Sequence, residues 1–420
     1  MSFLRDYAIF TKGNEAPPLY HTWAGISVLS SIVSRKVWVN QGIFTIYPNL
    51  YVILVGEPGN GKTTALSIAR RMVRSFSHIP ISPSAITREA MTEMMGDEKG
   101  PCQKTFKYND ELHHYCHLTV FANELVTMLG NPPEKMVELF TDIWDQEAFE
   151  VKTKHQGHDI IKGPYVTLLG CMTPEITSNL LKQSIISGGF ARRCVFVNAL
   201  DRGDPVPRPI ITPQQEAAWL SCLEWGKKIK DVQGEFQWTQ AAFDFFDEWY
   251  LKKYAALADH HDMMTKGYYR SKDVLLLKVA MLIVLSETTE LVLDAPHLEA
   301  SLAFLDQAEV HLNRVFDGTG RNMQADLAAR VLHMIESKGS PVIEKVVYGT
   351  LYADGTRDEI RQVIEHLVAT DKIKVLEKAL RPGQPKMRHL ATLKMVQDLA
   401  QTGQVSPLQI NLPNLGRLEE

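Results

Sequence analysis

The sequence predicts an α/β protein, a mainly parallel sheet dressed with helices, extended by an all-helical region and a small C-terminal unit. Three observations predict it. Between residues 46 and 200, short apolar β-branched runs (NLYVILVG, HLTVFAN, PYVTLLGC, RCVFVNA) alternate with amphipathic stretches, as βα units do. A glycine-rich loop, GEPGNGKT (Gly56 to Thr63), separates the first run from the helical stretch TALSIARRMVRSF. A proline-rich break, DRGDPVPRPIITP, then ends this region, and helical periodicity takes over.

Taken in order, residues 1–45 read as an N-terminal helical segment, because PPLYHTWAGISVLSSIVSRKVW spaces its apolar positions by three and four. Residues 46–205 form the sheet-based core. Residues 206–318 read as helix through AAFDFFDEWYLKKYAALA, SKDVLLLKVAMLIVLSE and APHLEASLAFLDQAEVHLNRVF. Residues 319–395 read as a winged helix: helices over 324–337 and 342–351, and a third begun by the capping box Thr356-Arg-Asp-Glu359 and running to Ala369. Two strands, IKVLEKAL and KMRHLATL, follow around the turn RPGQP. The tail, 396–420, has weak periodicity and reads as a flexible or partner-bound extension.

A chain of 420 residues with 45% hydrophobic and 22% charged residues can bury a large core without staples. Its formal charge of -4 excludes a polycationic coat protein, yet residues 321–395 alone carry an excess of four positive charges. Five scattered cysteines without a C-x-x-C pair read as reduced thiols in a cytoplasmic protein. The most apolar long stretch, 274–285, is too short to cross a membrane and contains Lys278.

The loop carries the chemistry. It fits G-x-x-x-x-G-K-[ST], with a buried strand before it and a helix after it. In that setting the loop Gly56, Glu57, Pro58, Gly59, Asn60, Gly61, Lys62, Thr63 and Thr64 wraps a phosphate with its backbone N–H groups, Pro58 apart, helped by the helix dipole. Lys62 would reach the β- and γ-phosphates and the Thr63 hydroxyl would ligate Mg2+. ATP and Mg2+ are the expected ligands. The strand HLTVFAN delivers Asn123 and Glu124 to its end, where an acidic pair ordinarily serves the metal and polarises water. Asn123 departs from that pair: its amide holds a metal-bound water without offsetting charge. Glu124 then either does both jobs or turnover is slow; the rival reading has Glu124 only capping the next helix.

PYVTLLGCMTPE ends a strand in a polar Thr173, where the family resembled below implies a residue that positions water. SGGFARRCVFVNA presents Arg192 and Arg193, read as a finger that stabilises the transferring phosphoryl group of a neighbouring subunit, Arg193 ahead of Arg192. Arg270 opens an apolar helix, and the family resembled below implies it as a candidate to touch the γ-phosphate. Phe149 to Val151 and Asp159 to Ile161 can pair around KTKHQGH, so that Lys152, Lys154, His155 and His158 form a basic hairpin tip suited to a nucleic-acid backbone. The winged helix adds Arg357, Arg361, Lys378, Arg381, Lys386 and Arg388 as DNA contacts. HHYCH, at 113–117, leads directly into a strand whose alternation disfavours a common metal centre.

Together these segments resemble the AAA+-like P-loop ATPases of phage and mobile-element replication, of the primase-associated helicase type. The resemblance rests on PPLYHTWAGISVLSSIVSRKVWVNQG…IYPNLYVILVGEPGNGKTT, the Trp144 helix with its hairpin, GGFARR and YYRSKDVLLLKVAML, and spans about residues 1–315. It implies a P-loop NTPase core with N-terminal helices, a helical lid and a C-terminal winged helix. It further implies an ATP-hydrolysing motor on single-stranded or forked DNA, a homo-oligomeric ring, often a hexamer, and a replication or recombination protein as partner. Lys62, Thr63, Glu124, Thr173 and Arg193 match the family pattern; Asn123 does not. The rival functional reading is an ATP-dependent DNA-binding switch or loader in transposition, plasmid maintenance or defence.

Overall fold

The computed structural model describes residues 2–130, 133–153, 157–174, 189–199, 203, 205–257, 263–310, 323–351, 356–378 and 387–396. The chain divides into two units, Met1–Thr319 and Gly320–Glu420. It is an α/β protein with mixed sheets.

The first unit begins with helices α1 (Phe3–Thr11) and α2 (Pro18–Val33). Proline at its first turn starts α2 where a missing N–H costs nothing. Nearly every side of α2 is buried, and Ser30 Oγ meets Thr167 Oγ1 of the sheet at 2.8 Å. Helicity does not continue to residue 45. Ser34 takes φ 57°, and the β-branched run beyond it forms strands β1 (Val37–Gln41) and β2 (Phe44–Ile46), paired antiparallel.

β3 (Tyr51–Val55), α3 (Lys62–Arg74), α4 (Arg88–Gly96), β4 (Gln103–Tyr108) and β5 (Glu111–Ala122) follow. Asn109 and Asp110, both at positive φ, close β4 onto β5 in a two-residue hairpin, a strand pairing for which the sequence had offered only the run HLTVFAN. Then come α5 (Leu125–Leu129), α6 (Glu134–Asp142), β6 (Ala148–Thr153), β7 (Gly157–Lys162), β8 (Pro164–Met172) and β9 (Cys194–Asn198). The central sheet has the order β4-β5-β8-β3-β9, with β5, β8, β3 and β9 parallel and β4 antiparallel at the edge. β3, β8 and β9 are buried along their whole length, as strands covered on both faces must be. Because β3 is flanked by two strands from later in the chain, its carboxyl end opens onto a crevice.

β6 and β7 pair as expected, Phe149 with Ile161 and Val151 with Asp159. The helices Pro213–Ile229, Gln240–Leu257, Met263–Arg270, Lys272–Glu287 and Ala295–Glu309 complete this unit. They share one hydrophobic core with the sheet and α2, joining Trp23, Ile32, Tyr51, Leu276 and Leu298. Gly234–Glu235 even adds a short parallel strand beside β1. No helix among the described residues is long and apolar enough to cross a membrane.

The second unit holds helices Met323–Lys338, Glu344–Thr350 and Arg357–Ala369 around a three-stranded sheet. Strand Met387–Thr392 lies between Val342–Ile343 and Ile373–Lys378, antiparallel to both. The capping box forms: Thr356 N–H donates to Glu359 Oε2 at 2.8 Å and Glu359 N–H to Thr356 Oγ1 at 3.4 Å. Val331, Ile335, Val347, Ile360, Ile364 and Leu390 make its core. Residues 397–420 of the expected tail lie outside the described residues.

Candidate functional site

The loop from Gly56 to Thr63 bridges the buried end of β3 and the first turn of α3. Gly59 and Gly61 take φ 80° and 76°, values that glycine alone adopts cheaply. Lys62 folds back over the loop, its Nζ donating to Gly56 O at 2.5 Å and Glu57 O at 2.7 Å. Burial lowers the Lys62 amine from its ordinary value, with Cys171 and Glu57 pulling the other way. Outside this arch, a cavity of about 360 Å³ is lined by Gly59 to Thr64, together with Asn14, Glu15 and Ala16 of the N-terminal segment and Val206 and Pro209. Thr63, Thr64, Glu57 and Pro58 are exposed. The first N–H groups of α3 lack intrahelical acceptors by geometry, so the cavity wall is a ready anion cradle.

The N-terminal segment props this loop, a role the sequence did not announce. Tyr20 Oη donates to Val55 O at 2.6 Å, and a Cβ on Gly56 would lie 2.3 Å from Tyr20 Oη. Ala16 packs against Gly61, leaving no room for a side chain there. Asn60 turns inward: its Nδ2 donates to Ala199 O at 2.7 Å and to Tyr20 Oη at 3.3 Å, which makes it an anchor of the loop rather than a hand toward the cavity.

Strand register aligns the other candidates with the loop. Val55 pairs with Met172, and Gly56 N–H donates to Met172 O at 3.2 Å, so Thr173, half-buried, stands beside the start of the loop. Ala122 pairs with Gly170, which carries Asn123 and Glu124 to the same carboxyl edge, one strand further away. At about 4.8 Å per strand, the backbone at Glu124 stands roughly 10 Å along the sheet edge from the start of the loop. Glu124 occupies the N-cap position of α5 without a side-chain capping bond; its Oε2 instead accepts from Thr127 Oγ1 at 3.4 Å. Its carboxylate is exposed and available to chemistry. Asn123 Oδ1 accepts from Arg70 Nη2 at 3.3 Å, and the same nitrogen donates to Phe121 O at 2.9 Å.

Mg2+ takes few protein ligands and completes its shell with water and phosphate oxygens. Thr63 and Glu124, both exposed at this edge, fit that demand, and Asn123 is exposed beside Glu124. Among the described residues no cluster of three or more His, Cys, Asp or Glu can hold a metal by itself.

The arginines lie elsewhere. β9 begins at Cys194, which pairs with Tyr51, the first residue of β3. Arg192 and Arg193 precede it in a 3-10 turn, Ala191–Arg193, and so sit at the amino edge of the sheet, roughly 16 Å from this chain's own loop. Arg193 is partly buried and its Nη1 donates to Gly189 O at 2.9 Å, whereas Arg192 is exposed. Of the two, Arg192 is the side chain exposed in this copy. Arg270 ends helix Met263–Arg270, which packs against the same 3-10 turn, and it does not line the loop cavity. Arg270 thus ends one helix and does not open the apolar helix that follows, which begins at Lys272.

Lys152 and His158 pair across β6 and β7, while Lys154 and His155 at the tip lie outside the described residues. In the second unit Arg357, Arg361 and Arg388 line one cavity of about 880 Å³ with Lys345 and Tyr348. Arg388 Nε pairs with Glu344 at 3.0 Å. Lys378 ends its strand, and Arg381 and Lys386 lie outside the described residues. His113 stacks on Phe106 at 5.0 Å and His117 is buried, its pKa lowered to about 3 by desolvation. The five cysteines are free and buried. Compared with known proteins, the chain matches no protein-family model and no curated sequence.

Proposed function

We propose that the first unit is a P-loop ATPase core and the second a winged helix, and that the chain works as an oligomeric, ATP-hydrolysing DNA motor, a replication helicase of a phage or mobile element. The observation that carries this reading is the Gly56–Thr63 loop at the carboxyl end of β3, with Thr173 and Glu124 brought to the same edge by strand register. ATP with Mg2+ supplies a phosphoryl group whose transfer to water releases free energy.

Each residue then has a task. The loop amides and Lys62 hold the phosphates, and Lys62 exchanges its two carbonyl acceptors for phosphate oxygens. Thr63 offers its hydroxyl to the metal. Glu124 orients and deprotonates the attacking water, and Thr173 positions it. Arg192 acts on a neighbouring copy's site, since its own loop is out of reach. The cavity of Arg357, Arg361 and Arg388 gives DNA phosphates a docking place.

The test is turnover and strand displacement on a forked duplex. Lys62→Ala should abolish ATP hydrolysis, and DNA should stimulate the wild type. DNA-stimulated hydrolysis without unwinding would refute the helicase while leaving the motor. Asn123, held by Arg70, favours a second reading, a slow ATP-dependent switch or loader that binds DNA while ATP is bound. Turnover accelerated by Asn123→Asp would support it.

A further inference from the structure

The cleft of about 880 Å³ in the second unit is lined by four cations, Lys345, Arg357, Arg361 and Arg388, against two carboxylates, Glu344 and Asp358. One carboxylate builds its wall. Glu344, 9% exposed, accepts from Tyr348 Oη at 3.0 Å through Oε1 and pairs with Arg388 Nε at 3.0 Å through Oε2. The phenol is thereby held in place, and the Arg357 guanidinium lies over its ring, 5.5 Å from the centroid. Tyr348 is half-buried and Arg357 is exposed, so the two form a layered plane whose outer layer is an exposed planar cation.

Two further observations bear on what the cleft receives. Gly349 lines it from inside helix Glu344–Thr350, and a Cβ there would meet no other part of the described chain within 4 Å. Glycine weakens a helix relative to alanine, and no packing in the protein requires it at 349, which leaves close approach by a ligand as its use. The second observation concerns helix Arg357–Ala369, which a duplex-reading winged helix lays in the major groove between two rows of phosphates. Beyond Arg361 this helix has no Lys or Arg, and Arg361 itself lies 3.7 Å from Asp358 and 3.9 Å from Glu365. Its length is poorly suited to a polyanionic groove; the cations gather at the cleft instead.

We propose that this cleft takes single-stranded nucleic acid rather than the side of a duplex, deepening the DNA-docking reading on which it rests. An unpaired base stacks on the Arg357–Tyr348 plane, and the sugar-phosphate backbone passes Gly349 and is met by Lys345 and Arg361. A duplex keeps its bases stacked on one another and has none to lay on that plane.

Fluorescence anisotropy on the full chain measures binding of three DNA probes of about 12 nucleotides: a single strand, the same strand without bases, and the duplex. The wild type should bind the single strand about 10-fold more tightly than the abasic strand. Arg357→Lys keeps the charge and loses the plane, so it should erase that difference and leave the abasic strand unchanged. Gly349→Ala should weaken the single strand by about 5-fold, while hydrogen exchange shows its helix as well protected as before or better. Lys345→Ala should lower the slope of log K against log salt by about 0.7 on both strands. All three positions are exposed, so the variants should fold. An abasic strand bound as tightly as the single strand, or a duplex bound more tightly than either, with Lys345→Ala still weakening it, overturns the single-strand cleft while the docking reading stands. Three folded variants indistinguishable from the wild type on every probe overturn both.

Discussion

Two glycines of the loop share a backbone conformation but not an environment, which makes them an internal control. Gly59 has φ 80° and nothing within 4 Å of where a Cβ would stand; Gly61 has φ 76° and its Cβ would lie 2.6 Å from Ala16 Cα. Alanine in the left-handed region costs about 1–2 kcal/mol at either site. At Gly61 the backbone of the N-terminal segment must also retreat, adding about 1–3 kcal/mol of overpacking. Gly61→Ala should therefore destabilise the first unit by about 2–5 kcal/mol and Gly59→Ala by about 1–2 kcal/mol. Urea unfolding followed by tryptophan fluorescence isolates the effect, because all seven tryptophans fall within residues 1–319. Equal midpoint shifts for the two variants would refute the claim that residues 14–20 brace the loop.

Other consequences follow from buried charge. Lys278 is wholly buried, and its Nζ donates to Asp145 Oδ1 at 2.8 Å, Asn49 Oδ1 at 2.7 Å and Tyr47 O at 2.8 Å; Lys278→Met should cost about 3 kcal/mol in urea unfolding, and adding Asp145→Asn should recover part of it. His21 and His117 are held neutral by burial to about pH 4 and about pH 3, against an ordinary 6.5. Below pH 6.5 the unfolded chain takes up protons that the folded chain refuses, so stability falls with pH until each folded value is passed; the loss between pH 7 and 5 should be about 2 kcal/mol per histidine, and His117→Leu should flatten the urea midpoint over that range.

The loop itself was legible because it is local. Eight consecutive residues, with a strand before and a helix after, specify its shape, and the Thr356 capping box and the pairing of Phe149 with Ile161 were legible for the same reason. What escaped was whatever depends on the third dimension. Nothing in PPLYHTW says that Tyr20 will close on Val55 or that Ala16 will fill the space beside Gly61, since those contacts come from helix α2 lying across the sheet. Asn109-Asp110 was a missed local signal: two residues tolerant of positive φ between alternating runs mark a hairpin. Arg270 was read at the start of a helix and stands at the end of one, because a basic residue at a helix boundary looks alike on either side of it. Only the pairing of Cys194 with Tyr51 reveals which edge of the sheet Arg192 joins.

That pairing carries a consequence for the reaction. With Arg192 at the amino edge and the loop at the carboxyl edge of one sheet, no single copy can bring both to one phosphate. If Arg192 assists hydrolysis, the working site is composite, the loop from one copy and the arginine from the next. Lys62→Ala and Arg192→Ala should then each be inactive alone, yet active when mixed. In a closed ring assembled at random from equal amounts, a site works only where the loop of an Arg192→Ala copy meets the arginine of a Lys62→Ala copy. That arrangement occurs at about one site in four, so the mixture should recover about a quarter of wild-type turnover. Mixing must include dissociation and reassembly, checked by exchange of fluorescently labelled copies. Full exchange with no recovered turnover would confine Arg192 to a structural or DNA-facing role, and turnover in Arg192→Ala alone would remove it from the chemistry altogether.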